Sequence, residues 1–243
     1  MSVTEPALVI VPTYNEVDTI EEVAQRLFAA CGSAVSLLVI DDGSPDGTAE
    51  VVRNMSEAGR SIHLIERAGK QGLGTAYVAG FRWAIERGFT AVVEMDADLS
   101  HDPADVPRLL AAIESADLAI GSRYVPGGRT ENWSRTRRWL SLAGNIYART
   151  WLGFRVMDST SGFRAYRVSA LGAEDLDSVG SSGYAFQIEM ARRVHLDGGT
   201  IAEVPITFVE RVQGRSKMSR RIVLEAIVKV TRWGVHDRFT RSR

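Results

Sequence analysis

Two carboxylates, Asp96 and Asp98, stand two residues apart immediately after the apolar segment 91–95. If that segment is a buried strand, both residues lie at its carboxyl end and can share one divalent cation. Oxygen ligands of this kind suit Mg²⁺ or Mn²⁺, and two of them leave coordination positions open. A diphosphate can fill those positions, so that the cation neutralises charge on a leaving group. The competing interpretation is a helix cap or a solvated turn, because an isolated D-x-D pattern has little specificity.

A second polar segment, residues 41–48, follows the apolar segment 35–40. Its glycines and proline specify a tight turn. We predict that Asp42 accepts hydrogen bonds from a base or a ribose. For Ser44, Asp46 and Thr48 we favour turn and helix-capping roles.

The segment 69–75 is rich in glycine and precedes a predicted helix, which superficially resembles a phosphate-binding loop. Its lysine, Lys70, precedes the later glycines and no G-K-[ST] follows, so it is not a Walker A loop. The first predicted strand is not followed by G-x-G-x-x-G, which argues against a dinucleotide-binding dehydrogenase.

The elements that must position these residues alternate regularly through the first half of the chain. Short apolar runs predict buried strands, and apolar residues at helical spacing predict the helices between them. This alternation indicates an α/β, Rossmann-like sheet, mostly parallel and flanked by helices, whose ligands bind beyond the carboxyl ends of the strands. The predicted strands are residues 7–11, 35–40, 61–65, 91–95 and 118–121, and the predicted helices are 19–31, 48–55, 73–86 and 103–113.

The second half of the chain is less regular. Residues 133–154 and 184–194 have helical spacing, and 219–237 predicts a final helix. A polar turn over 158–166 leads into a strand, and residues 200–209 read as extended.

Six segments together resemble the polyprenol (dolichol) phosphate mannose synthases, which are inverting family-2 glycosyltransferases with the GT-A fold. The resemblance extends over about residues 7–217, and six motifs in the same order make chance agreement very improbable. The segments are 12–16 (PTYNE), 41–48 (DDGSPDGT), 72–77 (GLGTAY), 96–103 (DADLSHDP), 121–124 (GSRY) and 161–164 (SGFR).

The resemblance implies a donor, GDP-mannose, and residues that bind it. Asp96 and Asp98 match the metal site of the family, and Asp98 is also predicted to be catalytic. Ser100 stands where some members of the family have a glutamine as a metal ligand. Arg123, predicted to be catalytic as well, matches an arginine near the phosphates, although an ion pair is its ordinary alternative. The donor-binding residues implied are Pro12, Tyr14, Glu16, Ile40, Asp42, Asp96, Ala97, Asp98, Arg123, Arg211 and Lys217.

The acceptor that the resemblance implies is a polyprenyl phosphate, received by Arg137 and Ser141. A phosphate oxygen is already anionic near neutral pH, so no strong general base is required. Arg164 completes the predicted catalytic set. Asp158 is a candidate for orienting Arg164 or touching the sugar, and a turn role is its alternative.

Bulk properties indicate where the chain works. The net charge of −1 conceals an asymmetry, since residues 129–155 carry +5 and residues 201–243 carry +6. A basic face of this kind suits an anionic partner, such as a membrane surface, a nucleic acid or a phosphorylated substrate. The single cysteine, Cys31, cannot form an internal disulfide, which favours a reducing compartment. We therefore expect a peripheral enzyme at the cytoplasmic face of a membrane.

The predicted organisation is one GT-A domain over residues 1–218, with a lipid-facing helical segment at about 133–154. Residues 219–243 form a C-terminal amphipathic helix on the membrane surface, with a separate membrane-anchor protein as a candidate partner. Its apolar stripe (Ile222, Val223, Ala226, Ile227, Val230 and Trp233) is predicted to face lipid, and packing on its own domain is the alternative.

The alternative functions are the same fold with UDP-glucose or another donor, and a non-catalytic lipid- or nucleic-acid-binding module. The acidic edge favours the enzyme and argues against nucleic acid.

Overall fold

A computed structural model describes residues 7–172, 175–181, 183–210 and 220–241. A seven-stranded sheet forms its centre, and a two-stranded sheet lies beside it. The strands are β1 (Ala7–Thr13), β2 (Val35–Asp41), β3 (Ile62–Glu66), β4 (Ala91–Glu94), β5 (Leu118–Ser122), β6 (Arg129–Glu131), β7 (Arg164–Arg167), β8 (Ile201–Pro205) and β9 (Thr207–Val209). The helices are α1 (Ile20–Cys31), α2 (Thr48–Glu57), α3 (Leu73–Glu86), α4 (Val106–Ala112), α5 (Arg135–Leu152), α6 (Val168–Gly172), α7 (Gly183–Leu196) and α8 (Arg220–Arg241).

The strand order in the large sheet is β3-β2-β1-β4-β7-β5-β8. The five strands predicted in the first half are confirmed as β1 to β5, and β1 pairs in parallel with both β2 and β4. The exception is β7, which is antiparallel to β4 on one side and to β5 on the other. The mostly parallel sheet is therefore confirmed, with one reversed strand in its interior.

The segment predicted as extended over 200–209 is divided at Ile206. Its first part, β8, pairs with β5 in the large sheet, whereas its second part, β9, pairs with β6 in the small sheet. Ile206 N–H donates to the Ser122 carbonyl at 3.0 Å, and its carbonyl accepts from Arg129 N–H at 3.0 Å. The chain thus changes partners there without leaving these main-chain groups unpaired.

Alternating side chains of the strands feed a hydrophobic core on each face of the sheet. In β1, Leu8 and Ile10 join the core beneath α3, α5 and α7, while Val9 and Val11 join the core beneath α1 and α4. Helix α3 lies close to β1 because residue 80 is glycine: a Cβ there would stand 2.6 Å from Ile10 Cδ1. Burial on both faces explains why these strands read as continuous apolar runs.

Helix α8 corrects the predicted lipid-facing stripe. Val230 is 1% exposed and belongs to the core with α7, and Trp233 packs against the same core. Ile227, from the same predicted stripe, is exposed. Besides Ile227, the exposed large apolar residues of α8 lie outside the predicted stripe: Leu224, Val228, Val235 and Phe239. The helix is apolar on two faces. The helical spacing of apolar residues in the sequence does not show which of these faces is buried and which is exposed.

Helices α5 and α8 lie side by side. The Tyr147 hydroxyl and Thr231 Oγ1 are 2.6 Å apart, and a Cβ on Gly234 would stand 2.7 Å from the Trp151 carbonyl oxygen. Trp139 of α5 is 72% exposed. Within the described part of the chain, none of the helices combines the length and the apolar character that crossing a bilayer requires.

Candidate active site

The carboxyl ends of β1, β2 and β4 meet at one edge of the sheet, and two of their loops are tied together directly. Main-chain N–H groups of the β1–α1 loop donate to side chains of the β2–α2 turn: Asn15 to Ser44 Oγ (3.0 Å), Glu16 to Thr48 Oγ1 (3.1 Å) and Val17 to Asp46 Oδ2 (3.1 Å). Within the turn, Ser44 N–H donates to Asp41 Oδ2 at 2.8 Å and Thr48 N–H donates to Asp46 Oδ1 at 3.0 Å, which confirms the predicted turn role. The predicted N-cap role is wrong, because the N-cap of α2 is Gly47, which has no side chain to cap the helix.

Adjacent aspartates at the end of β2 have different partners. Asp41 accepts from Thr13 Oγ1 at 2.8 Å and from Ser44 N–H at 2.8 Å, so it fixes the turn. Asp42 accepts from Arg67 Nε at 2.5 Å in a nearly buried ion pair. The charge of Asp42 at the end of β2 is therefore already balanced within the chain.

Arg67 is a residue that sequence reasoning missed. Besides Asp42, its guanidinium donates to Thr75 Oγ1 at 2.8 Å and to the Gly72 carbonyl at 3.3 Å. It thereby joins the glycine-rich segment to the end of β2. Asp42 and Thr75 lie 25 and 8 residues from Arg67 in the sequence. Nothing in the sequence around an arginine that follows a strand indicates which residues it will pair with.

The other predicted nucleoside contacts divide into surface and core. Pro12, Tyr14 and Glu16 are all partly exposed along the β1 edge, and Lys70 Nζ lies 4.4 Å from the centre of the Tyr14 ring. Ile40 is different: its side chain has no exposed surface and packs in the core beneath α3. The Ile40 side chain therefore serves the core, and the donor contact predicted at this position, which stays a prediction, would have to use its main chain.

The D-x-D turn after β4 is held by its own groups. Asp98 Oδ1 accepts from Ser100 N–H at 3.1 Å, and His101 Nδ1 accepts from Asp96 N–H at 3.1 Å. Because Nδ1 accepts this hydrogen bond, it carries no proton. Burial lowers the pKa of His101 below its ordinary value, which also favours the neutral ring. His101 stacks on Phe163 with ring centres 4.8 Å apart. This geometry makes His101 a turn residue rather than a metal ligand.

The acidic pair fits a hard divalent cation. The Asp96 side chain is 37% exposed and Asp98 is half-buried, while the Ala97 side chain between them is buried in the core. No group of three or more His, Cys, Asp or Glu side chains suited to a metal occurs among the described residues. Ser100 Oγ is buried and, within the same residues, has no hydrogen-bond partner. Two carboxylates with open positions remain, which is the arrangement that Mg²⁺ or Mn²⁺ with a diphosphate would use.

A buried polar cluster lies directly behind this turn. Glu94, fully buried at the end of β4, accepts from Gln187 Nε2 at 2.8 Å. Burial raises the pKa of Glu94 to about 8, although the positive charge of Arg164 opposes the increase. Glu94 is therefore largely protonated at neutral pH.

Arg164 belongs to this interior and not to the cleft. It has no exposed surface, and it donates to the carbonyls of Ser161, Gln187 and Ser159, each at 2.7 Å. The prediction that Arg164 is catalytic is wrong in this geometry, because every one of these donors is directed at the chain itself. Its guanidinium instead holds the 159–161 turn against α7.

Arg123 is also paired internally. Its Nε and Nη2 donate to the two Asp158 oxygens at 2.7 and 2.6 Å, and its main-chain N–H donates to Oδ2 at 2.9 Å. Burial alone would raise the pKa of Asp158, but the Arg123 charge and hydrogen bonds lower it below its ordinary value. Arg123 thus forms an ion pair that is buried rather than at the surface, and Asp158 orients Arg123 rather than Arg164.

Asn145 connects this pair to α5. Its amide nitrogen donates to the Ser141 carbonyl at 3.1 Å and to Thr160 Oγ1 at 3.3 Å, and its oxygen accepts from Ser159 Oγ at 3.0 Å. It is 2% exposed. A buried asparagine therefore sets the distance between α5 and the loop that holds Arg123.

The predicted acceptor residues share one face of α5. Ser134 caps the helix by accepting from Arg137 N–H at 3.2 Å, and Ser141 follows Arg137 one turn later. The Arg137 guanidinium lies 4.3 Å from the Trp133 ring centre and pairs with Glu210. Arg211 and Lys217, predicted to close over the donor, lie outside the described residues.

Comparison with known proteins identifies relatives over nearly the whole chain. The family model described as glycosyl transferase family 2 matches residues 8–173. An undecaprenyl-phosphate mannosyltransferase from Micrococcus luteus is 50% identical over 232 residues, covering 96% of this chain and 95% of the relative. A polyprenol monophosphomannose synthase from Mycolicibacterium smegmatis is 48% identical over 242 residues, covering 99% and 91% respectively.

Solved structures show the same architecture. A mannosyltransferase from Pyrobaculum calidifontis, solved with GDP-Man and Mn²⁺, superposes with a TM-score of 0.61 at 21% identity, covering 93% of this chain and 64% of that one. At that identity the likeness establishes the fold alone. The predicted GT-A fold is confirmed.

Proposed function

Because this chain belongs to glycosyltransferase family 2, we propose that it transfers mannose from GDP-mannose to a polyprenyl phosphate, with inversion. A bond forms between a phosphate oxygen and the sugar C1, while the bond from C1 to the diphosphate breaks and its electrons leave with GDP. Two relatives at 48–50% identity, named for mannosyl transfer to polyprenyl carriers, support the acceptor class and the sugar.

The observation that carries the proposal is a continuous series of contacts between the acidic turn and the basic end of α5. His101, which accepts the Asp96 N–H, packs edge-on against Phe208 at 5.5 Å. Phe208 packs edge-on against Trp133 at 5.5 Å, and Trp133 lies beneath the Arg137 guanidinium. The residues that we propose for a metal-bound diphosphate and those that we propose for the phosphate acceptor are therefore linked by direct packing contacts, which supports the proposal.

On the donor side, the partly exposed residues at the β1 edge and the Arg67–Asp42 pair offer the nucleoside its contacts. Asp96 and Asp98 would hold Mg²⁺ or Mn²⁺, which stabilises negative charge on the departing diphosphate. Arg211 and Lys217 are proposed to add positive charge on the same side.

On the acceptor side, Arg137 and Ser141 are proposed to bind the phosphate and orient it for attack. An anionic nucleophile does not need a proton removed by the protein. Asp158, the carboxylate nearest to Arg123, is fixed by that arginine, and its lowered pKa makes it a weak base. This agrees with a reaction that requires no general base.

The outward apolar residues of α5 and α8 are proposed to lie in the bilayer interface, where the lipid acceptor resides. Trp139, Leu224 and Phe239 are 72%, 62% and 75% exposed. Exposed arginines flank them, among them Arg138 and Arg232. Apolar side chains among basic ones are typical of interfacial helices. The chain would then work as a peripheral enzyme at the cytoplasmic face, without nucleic acid, and a separate anchor protein could dock on the same helices.

The test is synthesis of a mannolipid from purified components. The chain, GDP-[¹⁴C]mannose, undecaprenyl phosphate and Mg²⁺ or Mn²⁺ should yield label that partitions into organic solvent, and EDTA should prevent it. UDP-glucose offered in parallel tests the alternative donor. If no lipid-linked sugar forms from any nucleotide sugar, the proposal is wrong.

A further inference from the structure

Glu210 places a carboxylate where the proposed acceptor phosphate would bind. It follows β9, and its main-chain N–H donates to the Glu131 carbonyl at 3.2 Å, which fixes its position at the end of the small sheet. Its side chain accepts from Arg137 Nη1 across 73 residues of sequence. Both side chains are partly exposed, at 29% and 20%, so the ion pair lies at the mouth of the site and not in its depth.

The surroundings of this ion pair contain more hydrogen-bond donors than Glu210 satisfies. Arg137 Nε and Trp133 Nε1 are buried and have no hydrogen-bond partner among the described residues, and the only protein partner of the buried Tyr124 hydroxyl among them is the Ser141 side chain. Ser141 lies next to the Tyr124 hydroxyl. Buried donors without acceptors are unfavourable, and a native protein that retains several together commonly uses them on a ligand.

These donors belong to one cluster. The Trp133 ring contacts two guanidinium groups, with its centre 5.1 Å from Arg123 Cζ and 4.3 Å from Arg137 Cζ. Arg123 also lies 5.6 Å from the Tyr124 ring. Asp158 balances the Arg123 charge and Glu210 balances the Arg137 charge. Only the Glu210 carboxylate is partly exposed, so it is the anion that a ligand can replace.

We propose that Glu210 is a placeholder, and that the acceptor phosphate binds by displacing it from Arg137. Trp133 Nε1–H and the Tyr124 hydroxyl then become further donors to the phosphate. A phosphate monoester has three terminal oxygens and can accept from several donors, whereas Glu210 accepts from a single guanidinium nitrogen here. The inference rests on the proposed function, since it assigns the ligand of Arg137 to the acceptor.

The first test is Glu210→Gln, which removes the competing charge and keeps the side-chain shape. Binding of geranyl phosphate, measured by titration calorimetry without nucleotide or membrane, should become about two- to five-fold tighter. Unchanged or weaker binding would overturn the placeholder role, because it would mean that Glu210 merely orients Arg137.

The matched control is Glu131→Gln. Glu131 is exposed and pairs with Arg129, and its carbonyl accepts from Glu210 N–H, so this variant removes the same charge from the same neighbourhood. Geranyl phosphate should bind it as it binds the parent chain. A gain equal to that of Glu210→Gln would show a general electrostatic effect, which would contradict displacement at Arg137.

The second test is Trp133→Phe, which keeps an aromatic ring beside the arginines and removes the N–H. Binding of geranyl phosphate should weaken about tenfold, while the KM for GDP-mannose stays unchanged. Tyr124→Phe should act in the same direction without altering the ring contact with Arg123. If both variants bind geranyl phosphate as the parent does, the proposal that Trp133 and Tyr124 donate to the phosphate is wrong. These changes in geranyl phosphate binding can be measured even if the chain transfers no mannose. Failure of the placeholder role is therefore distinguishable from failure of the proposed function.

Discussion

Three arginines around the site, Arg67, Arg123 and Arg137, each have a carboxylate partner from a distant part of the sequence. The first two pairs are almost completely buried and the third is partly exposed. Buried pairs have fixed geometry because breaking them leaves an unpaired charge in the interior. The buried pairs therefore fix the loops at the ligand edge of the sheet, while the partly exposed pair can exchange partners.

Asp98 is the residue on which turnover should depend most. Asp98→Asn keeps the shape of the turn but removes a charged oxygen ligand, so mannosyl transfer should fall by about 100-fold or more. The measurement is initial-rate transfer at saturating Mn²⁺. Asp102→Asn is the control, because Asp102 is an exposed capping residue that accepts from Ala104 N–H and should leave the rate unchanged. Equal losses in both variants would contradict the metal assignment.

Asp158 should make stability depend on acid pH. Its pKa in the folded chain lies below the ordinary value of 3.8, so its contribution is present above that pH and is lost as pH falls through the folded pKa. Asp158→Asn leaves Arg123 buried without its counter-charge and should destabilise the fold by about 3–5 kcal/mol at pH 7. Urea unfolding of both chains should show this difference shrinking below pH 3.8. A difference that is constant with pH would rule out the ionic origin.

Residue types and spacing predicted which acids reach the ligand edge, but not how they are partnered. Asp96 and Asp98 were identifiable because they end an apolar run. The partners of Asp42 and Asp158 were not, because Arg67 and Arg123 pair with them across 25 and 35 residues. Arg164 was misassigned for the same reason: its burial depends on the non-local position of β7.

At the scale of elements, α8 shows where periodicity stops being informative. Val228 and Val230 stand two residues apart on the same helix, yet they are 58% and 1% exposed. Each valine has apolar neighbours in the sequence at helical spacing, so the sequence pattern is compatible with burial of either face. Packing against α5 and α7 decides which one is buried.

The two valines provide a matched test of these faces. Val230→Asn should destabilise the fold by about 3 kcal/mol, because it loses apolar burial and places an unpaired amide in the core. Val228→Asn should leave the melting temperature unchanged and reduce binding to liposomes. Thermal unfolding and liposome flotation of both variants are the measurements. If Val228→Asn floats as well as the parent, the outward face is not the membrane contact.

Elements of the first half were predictable because each strand and helix is a local pattern. The bounds of β1 to β5 and α1 to α4 agree with the predictions to within a few residues. The strand after the 158–166 turn was predicted, but its place between β4 and β5 was not, since strand pairing is non-local. The break at Ile206 depends equally on partners distant in sequence.

For the whole molecule, charge is distributed by layer. Helix α5 contains four arginines and no acidic residue, and the segment 201–243 has a net charge of +6. The acidic ligand edge lies at the ends of β2 and β4. A chain that is nearly neutral overall thus has a basic helical side that would attract anionic lipids.

Binding to membranes should accordingly depend on salt. Flotation with vesicles that contain phosphatidylglycerol should fall severalfold between about 0.1 and 0.5 M NaCl, because the Debye length shortens from about 10 Å. Vesicles of phosphatidylcholine alone should bind weakly at either salt concentration. Equal binding to both lipid compositions would contradict the electrostatic contribution.

The reversed strand β7 has a consequence for synthesis of the chain. Strands β1 to β4 can pair once the first 94 residues have emerged, but β4 lacks its outer neighbour until residues 164–167 are made. During that interval Val92 and Val93 lie on an unpaired sheet edge, which can pair wrongly with other chains. We therefore expect the nascent chain to be prone to aggregation until β7 pairs with β4 and joins it to β5.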